Sequence, residues 1–96
     1  MNEYTTLDVE KIDGFLLLAD ILPPRSRTKT LQVSLVGETE EEAAQKLKNL
    51  LSLDPQLRLK KASVCVCEIV DKKSNRFRVG IFGGLANMRN ITKNFV

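Results

Sequence analysis

The sequence predicts an α+β fold: a mainly antiparallel sheet of about five strands with one amphipathic helix packed on one face. Three observations support this prediction. Several segments alternate apolar and polar residues, as strands with one buried face do. A single segment combines a signal for a helix start with apolar residues at helical spacing. Turn-forming residues separate the segments, which gives the order β-β-β-α-β-β with a possible short C-terminal helix, in one domain of residues 1–96.

The first two strands are expected on either side of an Asp-Gly pair. Residues 5–12 alternate imperfectly between apolar and polar side chains. Asp13-Gly14 follows, and this pair is typical of a two-residue hairpin turn because both turn positions require positive φ. Residues 15–22 then read as a buried strand. The alternative is a helix over residues 6–21, in which Gly14 would cost about 1 kcal/mol relative to Ala. Strands are favoured, but the sequence leaves both structures open.

The third strand and the helix have clearer signals. A basic loop over residues 23–29 contains two prolines, and residues 30–36 after it alternate cleanly between apolar and polar side chains. Thr39 as N-cap with Glu42 three residues later forms a capping box, and three consecutive glutamates favour the positive end of the helix dipole. Apolar residues at helical spacing follow. We therefore predict a helix that begins after Thr39 and ends before Asp54.

A second hairpin is expected in the C-terminal half. Residues 59–70 form a long predicted strand that is apolar on both faces in its second half, which indicates a central position in the sheet. A polar turn at residues 71–75 leads to a partner strand over residues 76–82. Glu68 is unusual within this apolar strand, and Arg78 is its expected cross-strand partner. Residues 85–91 carry apolar residues at helical spacing and give the short C-terminal helix.

Charge is divided unevenly along the chain and suggests a candidate site. Residues 1–54 contain ten carboxylates and six basic residues, whereas residues 55–96 contain two carboxylates and nine basic residues, and the whole chain carries +3. Such asymmetry is typical of proteins with an anionic partner, and Lys and Arg side chains along a phosphate backbone release counterions. The alternative explanation of these basic residues involves no ligand: exposed Lys and Arg side chains keep the protein in solution and protect sheet edges from pairing. The candidate nucleic-acid-binding residues are Arg58, Lys60, Lys61, Lys72, Lys73, Arg76 and Arg78, with Arg25 and Arg27 from the proline-containing loop.

The residue types present argue against catalysis and against a bound metal or cofactor. The chain has no histidine, so no imidazole is present to act as a general base near neutral pH. Cys65 and Cys67 would project from one face of a strand, where a disulfide between them would be strained. A structural zinc site needs four ligands, and no further cysteine is present. The glycines at residues 80–84 match no nucleotide-binding motif. We expect no enzyme activity, no metal and no cofactor.

These observations predict a small, non-enzymatic, cytoplasmic binding module. The preferred function is binding of DNA or RNA through the basic C-terminal hairpin. The alternative is a protein-interaction or assembly module, either homodimeric or docked on an acidic protein surface, as in accessory proteins of phage or plasmid type. A membrane protein is not expected, because the longest uncharged apolar stretch, residues 15–19 with an extension past Asp20 to residue 22, is far shorter than the roughly 20 residues that a spanning helix needs. Acidic residues before this stretch argue against an export signal.

Overall fold

The computed structural model describes residues 12–25, 28–80 and 85–95. It confirms the predicted fold class, because one helix packs against a five-stranded antiparallel sheet. The elements are β1 (Ile12–Leu22), β2 (Leu31–Gly37), α1 (Glu40–Leu53), β3 (Arg58–Asp71), β4 (Arg76–Arg78) and β5 (Arg89–Asn90), with 3-10 turns at Leu85–Asn87 and Thr92–Asn94.

The sheet has the order β2-β1-β3-β4, and β5 also pairs with β3. The two longest strands, β1 and β3, are antiparallel neighbours in the middle of this sheet. The prediction that β3 is central is confirmed. Its apolar residues on both faces are the reason, because Val64 packs on the helix side of the sheet and Cys65 on the opposite side.

The Asp13-Gly14 pair lies inside β1, so the predicted hairpin turn at this point is wrong, as is the alternative helix for the described part of residues 6–21. Gly14 does not adopt positive φ. Instead it lies where strands approach closely, because a Cβ atom there would be 2.5 Å from Ile69 Cδ1 and 2.6 Å from the carbonyl oxygen of Gly37. The strand predicted over residues 5–12 falls almost entirely outside the described residues.

The predicted helix is confirmed, together with its N-cap. The backbone amide of Glu42 donates to Thr39 Oγ1 at 3.1 Å, and Glu42 Oε1 accepts from the amide of Glu38 at 2.6 Å. The glutamate therefore reaches one residue further back than in the usual capping box. Ala43 and Leu47 are fully buried against the sheet. The helix thus covers one face of β1 and β2 and sets the position of the acidic residues at its start.

Apolar side chains form a core on each face of the sheet. The core under α1 is built around Leu17, Ala19 and Leu47. The core on the opposite face contains Leu16 and Ile69, together with other residues that include both cysteines. Both cysteines are buried and free, as the sequence predicts. No described α-helix covers this second face; instead, the described side chains that pack against it at its margins are Leu18, Phe77, Val79 and Met88.

The C-terminal prediction is wrong in two respects. Strand β4 has only three residues rather than the seven of residues 76–82, of which 81 and 82 lie outside the described residues. The region predicted as a helix over residues 85–91 forms a 3-10 turn and strand β5. The reason is tertiary: β5 pairs with Ser63 and Val64 of β3, and Ile91 is buried in the core under α1. This pairing outweighs a weak local preference for helix.

Candidate nucleic-acid interface

The turn of the second hairpin, residues 72–75, is fixed against β2 and α1. Asn75 Oδ1 accepts hydrogen bonds from the amide of Val36 and from Lys46 Nζ, both at 3.0 Å. Lys46 Nζ also donates to the carbonyl oxygen of Lys72 at 3.0 Å. Asn75 adopts the left-handed conformation with φ 58°, which asparagine tolerates better than most residues. We call residues 72–75 the hairpin tip.

Lys72 is neutralised within the protein. Its Nζ lies 2.8 Å from a carboxylate oxygen of Glu38 and 3.1 Å from one of Glu42. These two carboxylates raise the pKa of Lys72. A hydrogen bond from the amide of Glu38 lowers the pKa of Glu42, and Lys72 lowers it further. A phosphate group would therefore compete with two existing partners for this ammonium group.

The other basic residues of the hairpin lie beside carboxylates. In the register of β3 and β4, Arg78 is opposite Glu68, as the sequence predicts, and Arg76 is opposite Asp71. The Ser74 hydroxyl and the amide of Lys73 donate to Asp71 and lower its pKa, and Arg76 lowers it further. Lys73, Arg76 and Arg78 are exposed. The hairpin nevertheless presents a mixed surface rather than a strongly positive one.

A second group of basic residues meets at the opposite end of the sheet. Leu22, the last residue of β1, pairs with Arg58, the first residue of β3. The loop that follows β1 is therefore adjacent to the beginning of β3. We call the exposed cations of these two segments the basic end: Arg25, Lys29, Arg58, Lys60 and Lys61.

The pairing irregularity between β1 and β3 shapes the basic end. Asp20 pairs with Lys61 and Ile21 pairs with Leu59, so Lys60 is the extra residue of a β-bulge. Lys61 lies on the face opposite α1, beside Asp20. A bulge twists the strand locally, so Lys60 and Lys61 do not follow simple alternation. The basic end therefore spreads over the rim of the sheet rather than over one face.

The candidate residues thus form two groups that do not converge. Lys61 and Asp71 are ten residues apart in β3, about 33 Å along a straight strand. The two groups also differ in orientation, because Arg78 lies on the helix side of the sheet and Lys61 on the other side. Arg27 lies outside the described residues.

Two further basic residues, which were not among the candidates for nucleic-acid binding, lie close to the groups described above. Lys29 precedes β2 and belongs to the basic end, and its place in the same basic loop as Arg25 was the signal that could have found it. Arg89 in β5 forms an ion pair with Glu40 at the start of α1. The acidic start of the helix therefore has basic partners from the hairpin tip and from β5.

A cleft of about 700 Å³ lies where the helix side of the sheet extends past the start of α1. Its described lining residues are Asp13, Gly14, Phe15, Val66, Cys67, Glu68, Arg78, Val79 and Gly80. Val66 is 53% exposed there although it belongs to a central strand. Nowhere in the described ranges do three potential metal ligands form a group.

Comparisons with protein-family models, curated proteins and solved structures found no match for this chain. In the part of the chain that the structure describes, no helix has the length and apolar character needed to cross a membrane.

Proposed function

We propose that this chain is a non-enzymatic nucleic-acid-binding module that contacts the phosphate backbone through its basic end. One observation carries the proposal: exposed cations from two distant segments, the β1–β2 loop and the start of β3, meet at one end of the sheet. The hairpin favoured by the sequence has a weaker claim, because Lys72 already binds two carboxylates.

The conformation of Arg25 supports this assignment. Arg25 has φ 67°, a left-handed conformation that residues other than glycine, asparagine and aspartate rarely adopt. Non-glycine residues in this region carry a conformational cost, and they cluster at binding sites. Pro23 and Pro24 precede Arg25 and restrict the loop, which lowers the entropy lost when Arg25 engages a ligand.

The expected binding mode has little sequence preference. The described aromatic side chains Phe15, Phe77 and Phe95 pack against the two cores, so they offer no platform for stacking bases at the basic end. Contacts to phosphate groups position a protein on nucleic acid but carry no sequence information. We therefore expect single- and double-stranded DNA and RNA to bind with similar affinity and a strong dependence on salt.

The proposal includes a cytoplasmic location and no catalytic role. Free cysteines, here Cys65 and Cys67, fit a reducing compartment. The absence of histidine from the sequence fits a binding function better than acid–base catalysis near neutral pH. The alternative partner is an acidic protein surface, which the same cations would attract.

Fluorescence anisotropy with labelled DNA and RNA at about 50 and 200 mM salt tests the proposal. Three phosphate contacts, from Arg25, Lys60 and Lys61, give a slope of about −2.7 in a plot of log affinity against log salt for double-stranded DNA. The key variant is Arg25→Gln/Lys60→Gln/Lys61→Gln, which should lose most of the binding. Its matched control is Lys73→Gln/Arg76→Gln/Arg78→Gln, which makes the same change in net charge and should retain it.

Three results would contradict the proposal. Loss of binding in the hairpin variant alone would assign the site to the hairpin. Equal losses in both variants would indicate attraction to overall charge without a site. Displacement of labelled DNA by polyglutamate as effective as that by unlabelled DNA would favour an acidic protein as the partner. Circular dichroism of each variant establishes that it remains folded.

A further inference from the structure

Strand β2 is an edge of the sheet, and part of its backbone faces outwards. Backbone groups in an antiparallel strand alternate between the neighbouring strand and the opposite side. The amide of Val36 bonds to the side chain of Asn75 rather than to β1, so it belongs to the outward set. By the same alternation, the backbone groups of Gln32 and Ser34 point outwards. Within the described ranges no hydrogen bond to these outward groups is found, and the hairpin tip covers only the Val36 end of the strand.

Among the residues that the structure describes, this edge lacks most of the features that usually prevent strand pairing. Its sequence LQVSLVG contains no charge and no proline, and its register with β1 is regular from Leu31 to Gly37. Natural edge strands are usually protected by lysine, proline, a bulge or a covering segment. Leu31 is 59% exposed at the start of this edge. An uncharged strand with an exposed leucine and open backbone groups is a template for another strand.

We infer that β2 pairs with β2 of a second copy of this chain, in an antiparallel arrangement related by a two-fold axis at Val33. This register places Gln32 of one copy opposite Ser34 of the other. It therefore uses the outward groups of these two residues and leaves the Val36 amide with Asn75. The inference is independent of the nucleic-acid proposal.

The side chains and charges agree with this register. Leu31, Val33 and Leu35 lie on the helix side of the sheet. Across the two-fold axis, Val33 lies opposite Val33 of the second copy, and Leu31 lies opposite Leu35, so the exposed leucine gains an apolar partner. Lys29 precedes the strand and Glu38, which binds Lys72, follows it, so antiparallel pairing places unlike rather than like charges near each other at both ends.

The end of α1 adds a further exposed apolar residue. The helix packs over β2 and β1. Leu53, its last residue, is 80% exposed. A single strand pair covers less area than the roughly 1,200 Å² of a stable interface, so contact between the two helices is needed as well. We therefore expect a reversible dimer.

Sedimentation equilibrium over a range of protein concentrations tests for this dimer. The wild type should show a monomer–dimer equilibrium that persists at high salt. Leu31→Lys should be monomeric, because it places a lysine on the edge and removes the exposed leucine. The matched control is Val66→Lys, which changes a similarly exposed apolar residue in β3 and should dimerise as the wild type does. A monomeric wild type, or equal dimerisation of Leu31→Lys and the wild type, would overturn the inference.

Disulfide cross-linking tests the register. Val33→Cys places two thiols opposite each other at a pair without backbone hydrogen bonds, where Cα atoms lie about 4.5 Å apart and a disulfide can form. Leu31→Cys is the control. Position 31 is more exposed than position 33, but in this register the two thiols of Leu31→Cys would lie four residues apart along the paired strands. The native cysteines are buried and should react slowly. Oxidation should yield covalent dimers of Val33→Cys only. Equal or greater cross-linking of Leu31→Cys would overturn this register.

Discussion

Gly14 illustrates how a single residue determines the distance between three strands. It belongs to β1, and the position of its missing side chain is occupied by Ile69 of β3 and by the carbonyl oxygen of Gly37 in β2. The Ile69 side chain can rotate away, but the Gly37 oxygen is backbone and moves only if the strand moves. The absence of a side chain at Gly14 is therefore a requirement of the sheet.

Substitution of Gly14 tests why this position is a glycine: either neighbouring strands approach it closely, or it adopts a turn conformation with positive φ. Gly14→Ala should lower the free energy of unfolding by about 1–3 kcal/mol, the usual cost of overpacking, measured by urea denaturation. Gly14→Asn should be at least as destabilising, because the larger side chain meets the same atoms. If Gly14 instead held positive φ in a hairpin turn, asparagine would be tolerated better than alanine. A smaller loss for Gly14→Asn than for Gly14→Ala would contradict the observed strand.

The same residue shows what local sequence cannot reveal. Asp-Gly is a strong turn signal, and only the packing of Ile69 and Gly37 against this position explains the glycine within a strand. Those contacts join residues more than 20 positions apart in the sequence. The cation Lys72 is a similar case, because its neutralisation depends on Glu38 and Glu42, which reach it only through tertiary structure.

At the scale of elements, the hairpin tip connects three parts of the fold. Asn75 joins the edge strand β2 to Lys46 of α1, and Lys72 joins the tip to the acidic start of the helix. A bulge between Ile69 and Asp71 alters the pairing of β3 and β4 before the tip. The hairpin tip thus connects the central strand β3 to the edge strand β2 through side-chain hydrogen bonds rather than through strand pairing.

Substitutions of Asn75 measure the contribution of this connection. Asn75→Gly retains access to positive φ but removes the acceptor from Val36 and Lys46, so it should lower the free energy of unfolding by about 1–3 kcal/mol. Asn75→Asp keeps an acceptor oxygen and places a negative charge near Lys46, so its stability should be close to that of the wild type. Thermal or urea denaturation gives both values. Equal losses in the two variants would show that the acceptor contributes nothing.

Elements with local signals were predictable, and elements made by pairing were not. The alternation of β2 and the cap of α1 are encoded in consecutive residues, and both agree with the prediction. Strand β5 has only two residues, too few for any periodic pattern, and it exists because it pairs with β3. Four of the five residues of the basic end were candidates from the sequence, but their grouping apart from the hairpin was not predicted, because the pairing of Leu22 with Arg58 brings its two segments together.

At the scale of the whole molecule, charge is sorted into separate regions. The acidic start of α1 binds Lys72 and Arg89, so these carboxylates neutralise cations of the basic C-terminal half. The basic end lies at the opposite end of the sheet, where Asp20 is beside Lys61. A net charge of +3 therefore understates the local positive potential at the basic end.

The ionisable groups also limit stability at both ends of the pH scale. Glu42 and Asp71 have lowered pKa values, so their contribution is present above the ordinary values of 4.5 and 3.8 and is lost as pH falls through the lowered values. Burial, with a smaller contribution from Cys65, raises the pKa of Cys67 from 9.0 to about 11. The folded state then retains a proton that the unfolded state releases, so stability is lost as pH rises from 9 towards 11.

The alkaline limb tests the contribution of Cys67. Between pH 9 and 10 the wild type should lose stability, because the folded state retains the proton of Cys67 and that of Cys65, whose pKa burial also raises; Cys67 alone contributes at most about tenfold in the unfolding constant per pH unit. Cys67→Ala removes this titration and should flatten the slope, although its lost packing lowers stability at every pH. Lys72 remains protonated in this range, because its pKa is raised above 10.5. Urea denaturation at pH 7, 9 and 10 gives the slopes, and identical slopes for both proteins would contradict a buried, protonated thiol at Cys67.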